Sequence, residues 1–184
     1  MKILAIDAGN TRVKWGVHDG TQWVSQGAVR TAESARLRDT LPAAERIVIA
    51  NVAGEGVRES LTAALCAIGA EPRWVVSKAE QCGVRSSYAE PSRLGPDRWA
   101  ALIAARHLHE GACIVVNAGT TMTVDALSAD SIFLGGFIVP GYALMRETLA
   151  GNTAHLALRE GAFSSAASPP DSSTQGSLSP VSAR

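Results

Sequence analysis

Residues 2–16 read KILAIDAGNTRVKWG. Ile3, Leu4, Ala5 and Ile6 form an apolar strand, Asp7-Ala8-Gly9-Asn10-Thr11 a tight polar turn, and Val13, Trp15 and Val17 the alternating face of a second strand. Two strands joined by a Gly/Asn turn read as a hairpin. The cargo of this turn is unusual for a hairpin. An acid stands at the end of a buried strand, beside a glycine that lets another group approach the backbone and two short hydrogen-bonding side chains. Such a turn offers backbone N–H groups to an anion and a carboxylate to Mg²⁺.

The pattern returns at residues 113–126, CIVVNAGTTMTVDA. Asp7 falls on Asn117, Ala8 on Ala118, Gly9 on Gly119, Asn10 on Thr120 and Thr11 on Thr121, and in both copies an apolar strand precedes and an alternating one follows. The match on both flanks indicates an internal duplication. Unrelated hairpins with ordinary turns would explain the glycines, but not the acid at the end of a buried strand. Two related halves, each holding up one glycine turn, imply a cleft with a polyphosphate between them.

The 184 residues suffice for one large domain or two small ones. A formal net charge of +0 argues against a nucleic-acid groove or an anionic membrane surface as the main partner. The apolar content of 46% fits a real core, and no apolar run is long enough to span a bilayer. The N-terminus begins a strand at once, with no secretory signal. Cys66, Cys82 and Cys113 are widely spaced, which reads as reduced thiols in a cytoplasmic protein.

Further along, residues 22–31 (QWVSQGAVRT) read as a third antiparallel strand, and residues 34–41 as a short helix with Ser34 as N-cap, ended by Pro42. The continuous apolar run RIVIANVA, residues 46–53, is the pattern of a strand covered on both faces. Residues 57–67 form a helix with Val57, Leu61, Leu65 and Ile68 on one face, and residues 74–77 a further buried strand. Antiparallel strands followed by alternation with helices imply a mixed sheet flanked by helices. Residues 81–96 are irregular, and a long loop inside a compact domain is more often functional than accidental. The loop ends Gly95-Pro96-Asp97-Arg98, and an Ala/Leu-rich helix follows over residues 99–109. Spacing leaves two readings of Asp97 open. It is an N-cap or first-turn acid, worth about 0.5–2 kcal/mol, or a base facing the cleft with Arg98 as an anion clamp.

In the second half, residues 132–139 form an apolar strand containing Gly135-Gly136, and Pro140-Gly141 turns into a helix over residues 142–150. The paired glycines let a flat ligand such as an adenosine come close, or mark a bulge. Residues 148–153 read as a helix end or a break. From Ser164 the chain is rich in serine and proline without apolar periodicity, which reads as disordered. His107 and His109 are not i, i+4 partners, so zinc is not expected there, and with His18 and His155 they read as solvated. Trp15, Trp23, Trp74 and Trp99 read as core or pocket wall. There is neither a G-x-x-x-x-G-K-[ST] motif nor a G-x-G-x-x-G after a strand, which removes a P-loop and a dinucleotide fold.

Taken in order, the segments DAGNT, GPDR, NAGT and GGFIVPG, the last followed by a helix and Asn152-Thr153-Ala154, resemble type III pantothenate kinase, the family that includes the Bvg accessory factors. The resemblance covers residues 1 to about 163. It implies the duplicated actin-like, ribonuclease-H-like α/β fold of the sugar-kinase and Hsp70 superfamily, with mixed sheets and flanking helices. On it, residues 1–111 are the first half, residues 112–163 the start of the second, and residues 164–184 the tail. It implies ATP- and Mg²⁺-dependent phosphorylation of pantothenate to 4'-phosphopantothenate, the first step of coenzyme A biosynthesis, in a cytoplasmic homodimer that binds neither nucleic acid nor membrane.

By the same resemblance Asp7, Ala8, Gly9, Asn10, Thr11, Arg12, Val13 and Lys14 bind ATP, with Asp7 near Mg²⁺, and Thr120 contacts ATP from the second turn. Tyr88, Gly95, Pro96, Asp97 and Arg98 bind pantothenate, with Asp97 as general base and Arg98 on the substrate carboxylate. Two departures stand out. Asn117 occupies the position of an aspartate that helps bind a monovalent cation, K⁺ or NH₄⁺, so that requirement is expected to be weaker or different. Family members also continue well past this length, and a threonine motif that contacts pantothenate has no match here, Thr174 lying in unlike surroundings. The serine/proline end is therefore expected to be a truncated or frame-shifted product, and an inactive kinase is an alternative. The others are a non-catalytic nucleotide-binding accessory protein and a kinase of the same superfamily acting on another small alcohol.

Overall fold

The computed structural model describes residues 1–66 and 71–152. The described residues fall into two compact units, one within residues 1–115 and 125–136, the other within residues 116–124 and 137–152. The expected tail and His155 lie outside the described residues.

The first sheet grows from the opening hairpin. In β1 (Ile3–Ala8), Leu4, Ile6 and Ala8 alternate onto the buried face, the period of two that a half-buried strand requires. It pairs antiparallel with β2 (Arg12–His18), which pairs antiparallel with β3 (Trp23–Arg30). On its other edge β1 lies parallel to β4 (Arg46–Asn51), and β4 parallel to β5 (Pro72–Trp74), reached through helix α1 (Glu55–Cys66). Parallel neighbours need such a crossover. The order is β3-β2-β1-β4-β5. Leu61 and Leu65 of α1 pack with Leu4, Ile6, Val13, Ile47 and Ile49 in one core.

The segment after β3 departs from expectation. Thr31–Asp39 is 3₁₀, two short pieces that meet at a kink at Glu33 (φ −108°, ψ 16°); the second starts about where the helix was expected, at a buried Ser34, and the first, from Thr31, was not expected. The cause is non-local. Thr31 donates its N–H to Thr11 O at 3.1 Å and its Oγ1 hydroxyl to Gly9 O at 2.7 Å, which anchors the segment start to the first turn. Trp23 is 54% exposed, on an outer strand over Gly16 and against His18, and so belongs to neither core nor pocket wall.

The second sheet has the order β6-β7-β10-β9-β8. Its strands are β6 (Glu80–Gln81), β7 (Val84–Ser86), β8 (Cys113–Ala118), β9 (Thr121–Leu127) and β10 (Ile132–Pro140). The order β10-β9-β8 repeats β3-β2-β1, so the duplicated turn sits in a duplicated three-strand arrangement. Residues 81–96 are less irregular than read. Cys82 and Gly83, both at positive φ, turn β6 into β7, and residues 91–93 form one 3₁₀ turn. Helix α2 (Pro96–Leu108) buries Trp99 and Leu102 with Val84, Leu94, Leu127 and Phe133 in a second core. Helix α3 (Tyr142–Asn152) runs through Gly151 to the last described residue, inside the stretch 148–153 that was expected to be a helix end or a break.

Candidate active site

The first turn closes by a bond from Gly9 N–H to Arg12 O at 3.0 Å, leaving Asn10 and Thr11 at the tip. A side chain at residue 9 would press on the Arg12 carbonyl, and Thr31 holds the turn from the other side. Asp7 closes β1 opposite Lys14, whose Nζ lies 3.8 Å from Oδ2. Partial burial pushes the Asp7 carboxyl above the ordinary carboxylate value. Lys14 pulls it back, and the negative charge of Asp97 pushes it up again. The two acids therefore lie within electrostatic reach of each other.

Asp97 comes there because of how α2 starts. Val52, just past β4, donates its N–H to Ala8 O at 2.9 Å, tying the end of β4 to the end of β1. Gly95 packs next to Val52 and accepts the first helical bond, from Trp99 N–H at 3.0 Å. Pro96 takes the first helical position, where a missing N–H costs nothing. The N-cap is Gly95 and no side chain caps this helix start, so Asp97 is not the N-cap, but it does stand in the first turn, the other half of that reading. Its carboxylate instead folds back over Gly95, so that a Cβ there would stand 2.5 Å from Oδ1.

Arg98 differs from a clamp free on all sides. It is 7% exposed, and its Nε and Nη2 donate to Asp125, a residue with no exposed surface. The ion pair and burial act on Arg98 in opposite senses, and the net effect fixes its positive charge more firmly. Removing one partner of such a pair costs about 3–5 kcal/mol, because the other charge stays buried alone. Phe133 lies with its ring centroid 6.0 Å from the guanidinium carbon, and the Tyr88 ring is 5.1 Å from that of Phe133. The Tyr88 hydroxyl acts on the same guanidinium. Tyr88, Gly95, Pro96, Asp97 and Arg98 thus gather around one helix start. Asp125 escaped the sequence reading. Its only signal was an acid on the buried alternation Thr123, Asp125, Leu127 of β9.

In the second unit the turn at Gly119 and Thr120 is one residue tighter, closing from Gly119 N–H to Thr121 O at 3.1 Å. Asn117 Nδ2 donates to Thr123 Oγ1 at 3.2 Å. Gly141 donates its N–H to Thr120 O at 2.9 Å and packs so closely that any Cβ would overlap the Gly119 and Thr120 carbonyls. Gly135, at φ +131°, faces open space and needs glycine for its backbone alone.

Among the described residues no group of three His, Cys, Asp or Glu side chains could hold a metal ion. A magnesium ion here fits only as one held by Asp7 together with phosphate oxygens, as hard cations that keep part of their shell from substrate are. No helix among the described residues is long and apolar enough to cross a membrane.

Two sheets that share one three-strand order, β3-β2-β1 and β10-β9-β8, each with an acid- or amide-bearing glycine turn between the first two strands of that repeat, define an actin-like, ribonuclease-H-like protein. Solved structures agree on the fold. A Baf-family transcriptional activator from Campylobacter jejuni superimposes with a TM-score of 0.53 at 22% identity, over 87% of this chain and 68% of that one. A 2-dehydro-3-deoxygalactonokinase from Sinorhizobium meliloti does so with 0.51 at 16%, over 83% and 57%. The profile of the type III pantothenate kinase family matches residues 3–179, and the chain belongs to that family. The match runs past residue 163, where the resemblance drawn from motifs stopped. The type III pantothenate kinase of Aromatoleum aromaticum is 52% identical over 164 residues, covering 88% of this chain and 68% of that protein. That of Nitrosospira multiformis is 48% identical over 165 residues, covering 88% and 63%. The chain thus spans about two thirds of the length of these relatives.

Proposed function

We propose that this chain transfers the γ-phosphoryl group of ATP to the primary alcohol of pantothenate, giving 4'-phosphopantothenate. The observation that carries the reading is that Asp97, in the first turn of α2, lies within electrostatic reach of Asp7 near the end of β1, and that its side chain does not cap the helix. Phosphoryl transfer needs positioning and charge neutralisation more than covalent help. Residues 7–14 offer the turn's N–H groups and the Lys14 ammonium to the phosphates, and Thr120 offers a further contact. Mg²⁺, when bound, neutralises phosphate charge, with Asp7 as its protein ligand. Asp97 takes the proton of the attacking hydroxyl late in the transfer, a role worth about 10²–10⁴ in rate. Arg98 and Tyr88 hold the pantothenate carboxylate, with Gly95 and Pro96 forming the backbone beside the substrate.

A cytoplasmic homodimer, as in the family, completes the proposal. A monovalent cation is needed less or differently, because Asn117 offers an oxygen ligand without negative charge. The test is ADP release with pantothenate by wild type and by Asp97→Asn. Wild type should turn over. The variant should lose about 10²-fold or more in kcat while binding nucleotide as before. Equal turnover by the two would remove Asp97 from its role.

A further inference from the structure

Asp125 stands 27 residues from Arg98 in sequence and has no exposed surface. It receives Arg98 Nε at 3.2 Å on Oδ1 and 3.0 Å on Oδ2, and Nη2 on Oδ1. Both donors belong to the same edge of the planar guanidinium. A guanidinium has two sides on which it can grip a carboxylate in bidentate fashion, the Nε–Nη2 side and the terminal Nη1–Nη2 side. Phe133 lies against the group with its centroid 6.0 Å from the guanidinium carbon, and the Tyr88 hydroxyl acts on it as well.

We propose that Asp125 is a positioning residue for substrate selection. By occupying the Nε–Nη2 side, it leaves only the terminal Nη1–Nη2 side of Arg98 to meet the substrate carboxylate. The inference rests on the reading of Arg98 and Tyr88 as pantothenate contacts. Selection then comes from bidentate fit at one fixed side of the guanidinium.

The experiment compares pantothenate with pantothenyl alcohol, its neutral analogue carrying the same acceptor hydroxyl. It uses wild type, Asp125→Asn and Asp125→Glu. Wild type should favour the carboxylate substrate in kcat/KM. Both variants should cut that preference by about tenfold or more, through the KM for pantothenate, and leave the KM for ATP and turnover of the alcohol within about threefold. A merely structural role would lower both substrates together, and that result, or an unchanged preference, would overturn the proposal. Should neither variant fold, a structure of wild type with pantothenate decides. The carboxylate should lie on Nη1 and Nη2 with Nε still on Asp125, and a carboxylate on Nε would overturn it. A wild type that neither binds nor phosphorylates pantothenate would defeat the proposed function itself. An active wild type whose preference survives in the variants would defeat this inference alone.

Discussion

Asp97 and Gly95 illustrate how much of the chemistry turns on single atoms. The carboxylate folds back over residue 95, and only a residue without a Cβ leaves it there. What a new methyl would meet is the free end of a side chain, which can rotate away. Gly95→Ala should therefore fold normally, with thermal stability close to wild type, while kcat falls by about tenfold or more because the base is displaced. Unchanged kcat in a folded Gly95→Ala protein would show that this rotamer does not matter. Arg98 teaches a different lesson. Its fork suits a substrate carboxylate, yet a buried arginine needs its own counter-charge first, and Asp125 supplies it.

At the scale of elements, the two glycine turns are held by different devices. The first is anchored by Thr31, 22 residues from the Gly9 carbonyl that it bonds. The second is backed by the start of α3, where Gly141 lies against the Gly119 and Thr120 carbonyls. Backbone cannot swing aside as a side chain does. Gly141→Ala should destabilise the protein by about 1–3 kcal/mol, the range of overpacked sites, and raise the KM for ATP, both measurable by thermal unfolding and initial rates. A stable variant with normal ATP dependence would contradict this packing. The β2–β3 hairpin carries a pH signature. Asp19 accepts bonds from Thr21 N–H at 2.8 Å, Thr21 Oγ1 at 2.7 Å and Gln22 N–H at 2.9 Å, and these hold its carboxyl well below the usual range. A depressed carboxyl contributes stability above its unfolded value, near 3.8, and loses it as pH falls below that. Asp19→Asn should therefore melt lower than wild type at neutral pH, and the gap should close as the pH is taken below about 4. A gap that is the same at both ends would exclude the carboxylate as its source.

For the molecule as a whole, what could be read in advance divides by sequence distance. The strand-turn-strand at residues 3–17 and its echo at 113–126 are local patterns, and both appear as hairpins within the same three-strand order. The helices 55–66 and 96–108 follow from apolar spacing and from Pro96. The misses are non-local or too short for a period to show. Strands β6 and β7 have two and three residues. The 3₁₀ segment starts where Thr31 is bonded to a distant turn, and nothing near Asp125 announces Arg98. Family membership accounts for the ordered motifs. The activity proposed from them rests on Asp7, near the end of β1, and Asp97, in the first turn of α2, lying within electrostatic reach of each other.

That claim is tested most directly by mass spectrometry of pantothenate incubated with ATP, Mg²⁺ and the protein. The account predicts pantothenate phosphorylated at its primary alcohol in step with ADP, and almost none with Asp97→Asn. ADP formed without phosphorylated pantothenate, or as much product from the variant as from wild type, would contradict it.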